Sequence, residues 1–365
     1  MFTKPSQRFP LLFVSVVVLL VAMWSGLLRV GWIFPTLAPW RMAHGPLMIS
    51  GFLGTLISIE RAVALNKSWL YTGPVLSAAG GIYYVAGGDD IIGALLMLAG
   101  SLGLVVIFAV ILKQHREDYT VVMALGSVAL FVGMLLWFLG NSIASIVSWW
   151  SAFLVLTIVG ERLELSRLMR PSKSRRILGQ ITVGVYLLGL VITFFSSDIG
   201  TRIVSLGMLL MALWLLRFDI ARFTIRKKEL VRFVAVCLMS GYVWLGIGGL
   251  IGLYSGYRYA GPVYDAFLHT VFVGFTFSMI FGHAAIIFPS ILMLPVRYSP
   301  KFYYPLALLH LSLIMRIFGD LTYTHSIRLW GSMLNAIAIL LFLVIMGWTI
   351  LEGRKEELLL DLQIT

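Results

Sequence analysis

The chain has 365 residues, of which 60% are hydrophobic and 12% charged, and its formal net charge at pH 7 is +12. A soluble domain has about a quarter of its residues charged, so this composition excludes that class and indicates an integral membrane protein. The positive charge is typical of basic cytoplasmic loops rather than of a nucleic-acid partner, and the single cysteine, Cys237, excludes intramolecular disulfides and cysteine-based metal clusters.

Apolar runs long enough to cross a bilayer follow one another along the whole chain. They predict an all-α polytopic membrane protein, a single integral membrane domain over residues 1–365 with about twelve transmembrane helices. In chain order the predicted spans are Leu11–Val30, His44–Leu65, Leu70–Gly87, Ile91–Leu112, Tyr119–Leu139, Ile143–Leu163, Ile177–Phe195, Ile203–Leu216, Leu230–Leu253, Tyr264–Leu292, Tyr303–Phe318 and Leu329–Ile350.

Lysine and arginine are distributed unevenly between the loops that connect these spans. Most of the 28 basic residues fall on the side of the N-terminus, and few fall in the loops on the other side. By the positive-inside rule, the N-terminus and the C-terminus are both cytoplasmic, with residues 351–365 as a cytoplasmic tail. The expected location is a bacterial-type inner membrane, with the lipid bilayer as the first partner.

Parts of the sequence repeat weakly. The segment GFLGTLISIERAVAL from Gly51 aligns with GFTFSMIFGHAAIIF from Gly274, and FLVLTIVGERLEL from Phe153 places Glu161 on Glu60. These segments lie in the second, tenth and sixth spans, which predicts three pseudo-repeated four-helix units, about 1–113, 114–228 and 229–350. Chance similarity between apolar helices is the alternative.

His44 opens the second span and His269 lies near the start of the tenth, and these spans run in the same direction, so both histidines lie near the outer leaflet. Two neutral imidazoles on two helices are suited to bind a b-type haem from its two faces. The alternative is a pair of interfacial histidines with ordinary hydrogen-bond partners. Asp265, close to His269, either orients the imidazole or caps the helix.

His283 and His310 form a second candidate pair, for a second haem or a copper ion. On an α-helix, His283 returns to nearly the same face as His269, about 21 Å along the axis. Two histidines do not complete a four-ligand site, and the candidates for the missing ligands are Met279, Met315, Glu60 and Glu161. For the two glutamates, the alternative is an ordinary ion pair with arginine.

Other polar and aromatic residues have simpler predicted roles. Arg316 is spaced to pair with Asp320, and it is also suited to bind a haem propionate. His115 and His325 fall in loops and are predicted to be solvated. Clusters such as Trp149–Trp150 are typical of interfacial anchors. The chain has no Walker loop, GxSxG, HExxH or CxxCH motif, which excludes nucleotide hydrolysis and covalent haem attachment.

The predicted spans and histidines resemble the catalytic subunit of haem-copper oxidases. His44 in AHGPLM is similar to the low-spin haem ligand of that family's second helix, and His269 to its partner on the tenth. The chain lacks the family's His-Tyr on the sixth helix, His-His on the seventh and His-x-His on the tenth. The resemblance therefore does not imply an oxygen-reducing binuclear centre or proton pumping.

The chain is more similar to the NnrS family of haem- and copper-associated membrane proteins, linked to nitric-oxide stress and denitrification. This similarity rests on HTVFVGFTFSMIFGH, the proline-containing turn after it, and the helix with His310 and Arg316. It implies one or two b-type haems, with copper as an alternative, nitric oxide as a gaseous ligand, and a cytochrome or quinol as redox partner. Whether the protein is an oxidoreductase stays open.

The leading hypothesis is therefore a haem-binding inner-membrane protein with a role in nitric-oxide-related redox chemistry or protection from nitrosative stress. The main alternative is a transporter or metal permease whose histidines line a path, since many spans and internal repeats suit that class too. A structural subunit that anchors a redox partner is a third possibility.

Overall fold

The computed structural model describes residues 5–36, 40–169, 172–294 and 296–364. These residues form fifteen α-helices joined by short turns, and none of them lies in a β-strand. The predicted all-α fold is therefore confirmed. Of the predicted C-terminal tail, Thr365 lies outside the described residues, and residues 351–364 continue the last helix.

The helices are as follows in chain order. The first eight are α1 (Pro5–Val30), α2 (Trp40–Pro46), α3 (Thr55–Leu65), α4 (Thr72–Val85), α5 (Asp90–Gln114), α6 (Asp118–Phe138), α7 (Ile143–Ser166) and α8 (Lys173–Ile192). The others are α9 (Ser197–Phe218), α10 (Ala221–Thr224), α11 (Glu229–Ser255), α12 (Pro262–His269), α13 (Ser278–Leu292), α14 (Tyr303–Leu321) and α15 (His325–Ile364).

Within the described ranges, eleven helices are long and apolar enough to cross a membrane. Two of them combine several segments: one joins α2 to α3 and is counted from Met42 to Leu65, and the other joins α12 to α13 and is counted over Pro262–Pro289. The chain is thus a multi-pass membrane protein.

The third predicted span, Leu70–Gly87, is not among these eleven helices, because its α-helix alone is too short to cross a membrane. There the chain forms a 3₁₀ turn, Ser68–Tyr71, and then α4, an α-helix of 14 residues. The eighth predicted span, Ile203–Leu216, is in contrast longer than expected, because α9 has 22 residues.

The chain divides into two compact units, and each is described by itself. Unit 1 comprises Met1–Pro171, Val183–Val204 and Gly256–Tyr259, whereas unit 2 comprises Ser172–Thr182, Ser205–Ser255 and Ala260–Thr365. Unit 1 therefore contains α1 to α7, and unit 2 contains α10 to α15. Residues of α8 and α9 belong partly to each unit.

Small residues bring helices of unit 1 together. Gly73 on α4 faces Gly103 on α5 so closely that a methyl group on Gly103 would overlap the Gly73 backbone. On α6, Gly133 lies against the indole of Trp150 on α7, which is fully buried. Glycine allows such close approach of helices in a membrane, where dispersion contacts replace the hydrophobic effect between helices.

In unit 2, glycines likewise bring α14 and α15 together. Gly319 on α14 faces the backbone of Arg328, and Gly331 on α15 faces the backbone of Arg316. These contacts bring the C-terminal half of α14 against the first turns of α15. The charged side chains of this part of unit 2 consequently lie in a closely packed interior.

Two segments of the chain are π-helical: Leu47–Gly54, between α2 and α3, and Thr270–Phe277, between α12 and α13. A π-helix uses i→i+5 hydrogen bonds, is rare, and occurs frequently at functional sites. The alignment of Gly51 with Gly274 also carries Leu47 onto Thr270 and Gly54 onto Phe277. The weak sequence match thus coincides with a rare backbone conformation in both helices.

The aligned glycines are enclosed in similar ways. A methyl group on Gly51 would meet Val18 of α1 at 2.8 Å and Gly81 of α4 at 3.6 Å. One on Gly274 would meet Trp244 of α11 at 2.5 Å and Leu313 of α14 at 2.9 Å. Each π-helical segment therefore packs between a helix that precedes it and a helix that follows it in the chain.

Candidate functional site

The site in unit 2 begins where the chain enters α12. Gly261 adopts a φ of +103°, which favours glycine, and Pro262 follows in the first turn of the helix. Asp265 and His269 are then four residues apart on α12 and lie on the same face. The helix ends at His269, and the π-helical segment starts at the next residue.

His269 is held by Asp265 through two contacts. Its Nδ1 lies 2.8 Å from the main-chain oxygen of Asp265 and 3.3 Å from the carboxylate Oδ1. Since oxygen atoms of a carbonyl and a carboxylate only accept, Nδ1 carries the proton and donates it. In the neutral ring the lone pair is then on Nε2, the arrangement that metal-binding histidines have.

Arg316 on α14 fixes Asp265 in turn. Its Nε donates to Oδ2 at 2.8 Å and its Nη2 donates to Oδ1 at 2.9 Å, a bidentate pair. The Arg316 side chain is only 9% exposed. Arg316, Asp265 and His269 thus form a continuous chain of polar contacts, and we call it the Arg–Asp–His chain.

These contacts show which of the two roles predicted for Asp265 is correct, and which residue pairs with Arg316. Asp265 was a candidate cap, but the N-cap of α12 is Gly261 and no side chain caps this helix end. The aspartate contacts the imidazole instead, as the orienting role requires. Arg316 was predicted to pair with Asp320, and this is wrong, because its bidentate partner is Asp265 from another helix.

Asp320 lies on the last turn of α14 and is fully buried. Its Oδ1 is 3.9 Å from Nε of Arg328, beyond hydrogen-bonding distance, and its carboxyl group is in contact with that of Asp265. Arg328 also approaches His325, with 3.1 Å between Nη2 and the His325 Nδ1. Asp320 and Arg328 therefore extend the Arg–Asp–His chain towards α15.

His44 lies in unit 1, where its ring packs against α1. Nδ1 is 2.7 Å from the main-chain oxygen of Ala22, and a methyl group on Gly26 would meet the ring at 2.8 Å. As at His269, the carbonyl partner makes Nδ1 the donor and gives the lone pair of the neutral ring to Nε2. Gly26 is thus the residue that allows the imidazole to approach α1.

His283, on α13, has the same local arrangement. Its Nδ1 is 2.8 Å from the main-chain oxygen of Met279, one turn earlier. The Met279 side chain is buried against Gly241 of α11, where it fills space. The expectation that His283 shares a face with His269 assumed an unbroken α-helix. That assumption is wrong, because the π-helical Thr270–Phe277 separates the two histidines and has wider turns.

His310 differs from the other three candidates. The indole Nε1 of Trp244, on α11, donates to His310 Nδ1 at 2.9 Å. An accepting Nδ1 in a neutral ring leaves the proton on Nε2, which is buried and has no hydrogen-bond partner among the described residues. The Nε2 of His310 has no lone pair in this tautomer, so the residue does not fit a metal ligand.

The glutamates proposed as further ligands form an ion-pair cluster in unit 1. Arg61 pairs with Glu161 of α7 and lies 3.8 Å from Glu60. Its guanidinium also lies over the ring of Phe108, on α5, at 5.9 Å. The ion-pair interpretation of Glu60 and Glu161 is therefore confirmed.

The His, Asp and Glu side chains described above do not support a metal site made only of protein ligands. Within the described part of the chain, no three His, Cys, Asp or Glu side chains are grouped so that they could hold a metal ion. Haem differs, because the porphyrin supplies four ligands and the protein supplies at most two. The tautomers of His44 and His269 fit that requirement.

Sequence reasoning missed several residues of these surroundings. Trp244, the partner of His310, carried no sequence signal beyond its type. Trp150 was predicted to be an interfacial anchor, and this is wrong, because it is buried beside Gly45, the neighbour of His44. His115 and His325 are exposed, as expected.

Comparison with known proteins yields one family. The family model described as "Domain of unknown function (DUF8744)" matches residues 8–351, nearly the whole chain. No curated protein matches the chain at a significant level.

Proposed function

The chain belongs to the DUF8744 family, and we propose that it is a haem-binding membrane protein with a role in nitric-oxide-related redox chemistry. The observation that carries this proposal is the Arg–Asp–His chain of unit 2. A histidine whose Nδ1–H is held by a carboxylate has a fixed ring orientation and a more basic Nε2, as metal-ligating histidines do. We infer that His269 would hold a b-type haem through Nε2.

His44 is the second residue that would hold the haem. The carbonyl of Ala22 orients its ring in the same sense, with the lone pair on Nε2. A π-helical segment follows each histidine, starting three residues after His44 and directly after His269, and this supports a common role for the two helices. Arg316 is the proposed partner of a haem propionate through the part of its guanidinium that Asp265 does not engage.

A haem bound by two imidazoles supplies one-electron redox chemistry. The proposed partner is therefore an electron donor, a cytochrome or a quinol. Nitric oxide as the small gaseous ligand is proposed from the resemblance to the NnrS family and not from the two imidazoles. The second haem or copper ion at His283 and His310 is not part of this proposal. His310 could bind a metal through Nε2 only if its Nδ1 carried the proton, but Nδ1 accepts a hydrogen bond from Trp244.

We propose a topology of about twelve spans with both termini in the cytoplasm. The loop charges support this orientation. The 3₁₀ turn Ser68–Tyr71 and α4 together extend about 29 Å at the usual rise per residue, close to the thickness of a bilayer core. The matching π-helical segments support an equivalence of the second and tenth spans, whereas the aligned part of the sixth span, in α7, is α-helical. The proposed location is a bacterial-type inner membrane.

The test is the haem content of histidine variants purified after expression with ample haem. We expect a Soret band in the wild type, and its loss or conversion to a five-coordinate spectrum in His269→Gly and His44→Gly. Added imidazole is expected to restore the six-coordinate spectrum in both, since it replaces only the missing side chain.

Matched controls are available within the chain. His115→Ala, at an exposed position, and His310→Gln are expected to keep the wild-type spectrum. A band lost in His283→Ala but kept in His44→Gly would contradict the proposed ligand pair. Wild-type protein without any chromophore, together with uptake of a metal ion into proteoliposomes, would replace the haem proposal by the transporter alternative.

A further inference from the structure

Asp320 stands out among the charged groups of unit 2 because its surroundings do not suit an ionised carboxylate. The side chain is fully buried, and no N–H or O–H group of the described residues donates a hydrogen bond to either of its oxygens. A buried charge without hydrogen bonds is strongly unfavourable compared with the neutral form.

The charged groups that face Asp320 come from three helices. Asp265 contacts it from α12, Arg316 lies on its own helix, and Arg328 approaches from α15. Arg316 donates two hydrogen bonds to Asp265. Arg328 remains at 3.9 Å, too far for a hydrogen bond.

The contact between the two carboxyl groups indicates where a proton would lie. Two carboxylates only accept, so their contact becomes a hydrogen bond when one of them is protonated. Arg316 stabilises the ionised form of Asp265, whereas nothing among the described residues donates to Asp320. The proton therefore belongs on Asp320, which donates it to the Asp265 carboxylate.

We propose that Asp320 is the proton-binding site of this cluster and controls how strongly Asp265 polarises His269. When Asp320 is protonated, one lone pair of the Asp265 carboxylate is engaged by the new hydrogen bond, and less of its charge acts on the imidazole. When the proton leaves to water, that lone pair is released. The effect on His269 rests on the proposed function, whereas the proton on Asp320 does not.

The first experiment needs no haem. Infrared spectra of the purified protein are expected to contain the C=O stretch of a buried carboxylic acid that shifts in D₂O. This band is expected to be absent in Asp320→Asn and present in Asp198→Asn, which removes an exposed carboxylate paired with Arg202. A wild-type spectrum without such a band, or a band that persists in Asp320→Asn, would overturn the assignment, and the wild-type outcome does not depend on any variant folding.

The second experiment uses haem-loaded protein. The midpoint potential of the wild type is expected to fall with rising pH, by at most about 59 mV per pH unit for one proton per electron, and that of Asp320→Asn to vary much less. An unchanged slope in Asp320→Asn would refute the link to His269. Protein that binds no haem but has the carboxylic acid band would refute the proposed function and leave the proton site of Asp320 intact.

Discussion

At the scale of single residues, the arrangement around His269 combines a contact between residues close in the sequence with a contact between residues far apart in it. The contact between Asp265 and His269 is compatible with their i,i+4 spacing, and for that reason it was one of the two roles predicted for Asp265 from the sequence. The partner of Arg316 was not predictable, because Asp265 is 51 residues away in the sequence and the choice between it and Asp320 depends on helix packing. Local spacing favoured Asp320, and tertiary structure selected Asp265.

The tautomers of the histidines also lie beyond sequence reasoning. All four candidate histidines are similar in sequence terms, as isolated imidazoles in apolar helices. A main-chain carbonyl is the partner of Nδ1 in His44, His269 and His283, but an indole N–H takes that place in His310. That single donor separates His310 from the others.

Asp265→Asn tests the orienting role of the carboxylate. The amide keeps the size of the side chain but loses the charge that binds Arg316 and polarises His269. We expect haem affinity to fall by about tenfold or more, as for other residues that orient a ligating histidine. The free energy of unfolding in mixed micelles should fall by about 3 kcal/mol, because Arg316 is left as an unpaired buried charge.

The measurement is a haem titration together with a denaturant titration of the apoprotein. Asp198→Asn is the control, because its ion pair with Arg202 is largely exposed and such pairs contribute little. Equal haem affinity in Asp265→Asn and wild type would show that the carboxylate does not act on the ligand.

At the scale of elements, the sequence predicted the helices well and their internal geometry poorly. Apolar length located the tenth span at Tyr264–Leu292, and the structure has a continuous helical segment from Pro262 to Leu292. The π-helical part has no compositional signal, because it depends on which carbonyl each N–H reaches. The 3.6-residue periodicity therefore failed between His269 and His283.

Gly274→Ala tests the packing of the π-helical segment. The new methyl group would meet the Trp244 side chain at 2.5 Å and Leu313 at 2.9 Å. Overpacking of this kind costs about 1–3 kcal/mol of unfolding free energy. Trp244 would also have to move, so a change in the ultraviolet absorption or fluorescence of tryptophan is expected.

Gly347→Ala is the matched control in α15, because a methyl group added to Gly347 would meet no atom of the described residues within 4 Å. Here alanine is expected to be neutral or to stabilise the helix by up to about 1 kcal/mol. Equal stability of the two variants would contradict the packing described for Gly274.

At the scale of the whole molecule, composition and loop charges predicted a multi-pass all-α protein, and eleven long apolar helices among the described residues bear this out. The exact count depends on α4, which has 14 residues and whose glycines let it pack closely against α5. Hydropathy alone cannot resolve such a helix, because small residues contribute little apolar signal while they contribute strongly to packing.

Cysteine labelling tests whether α4 crosses the membrane. Lys67→Cys and Ala86→Cys place thiols at the two ends of the segment that contains the 3₁₀ turn and α4, and the natural Cys237 is buried. With the N-terminus in the cytoplasm, a membrane-impermeant maleimide added outside should label Ala86→Cys and leave Lys67→Cys unlabelled until the membrane is permeabilised. Labelling of both from one side would reduce the number of spans by one.

The central claim is that His269, oriented by Asp265 and Arg316, binds a haem together with a second histidine. Near-infrared magnetic circular dichroism of the ferric protein, combined with electron paramagnetic resonance, identifies the two axial ligands directly. We predict one low-spin haem per chain with two imidazole ligands in the wild type, and loss of that signal in His269→Gly. A wild-type signal from His–Met or His–water coordination, or a bis-imidazole signal that persists in His269→Gly, would contradict the account.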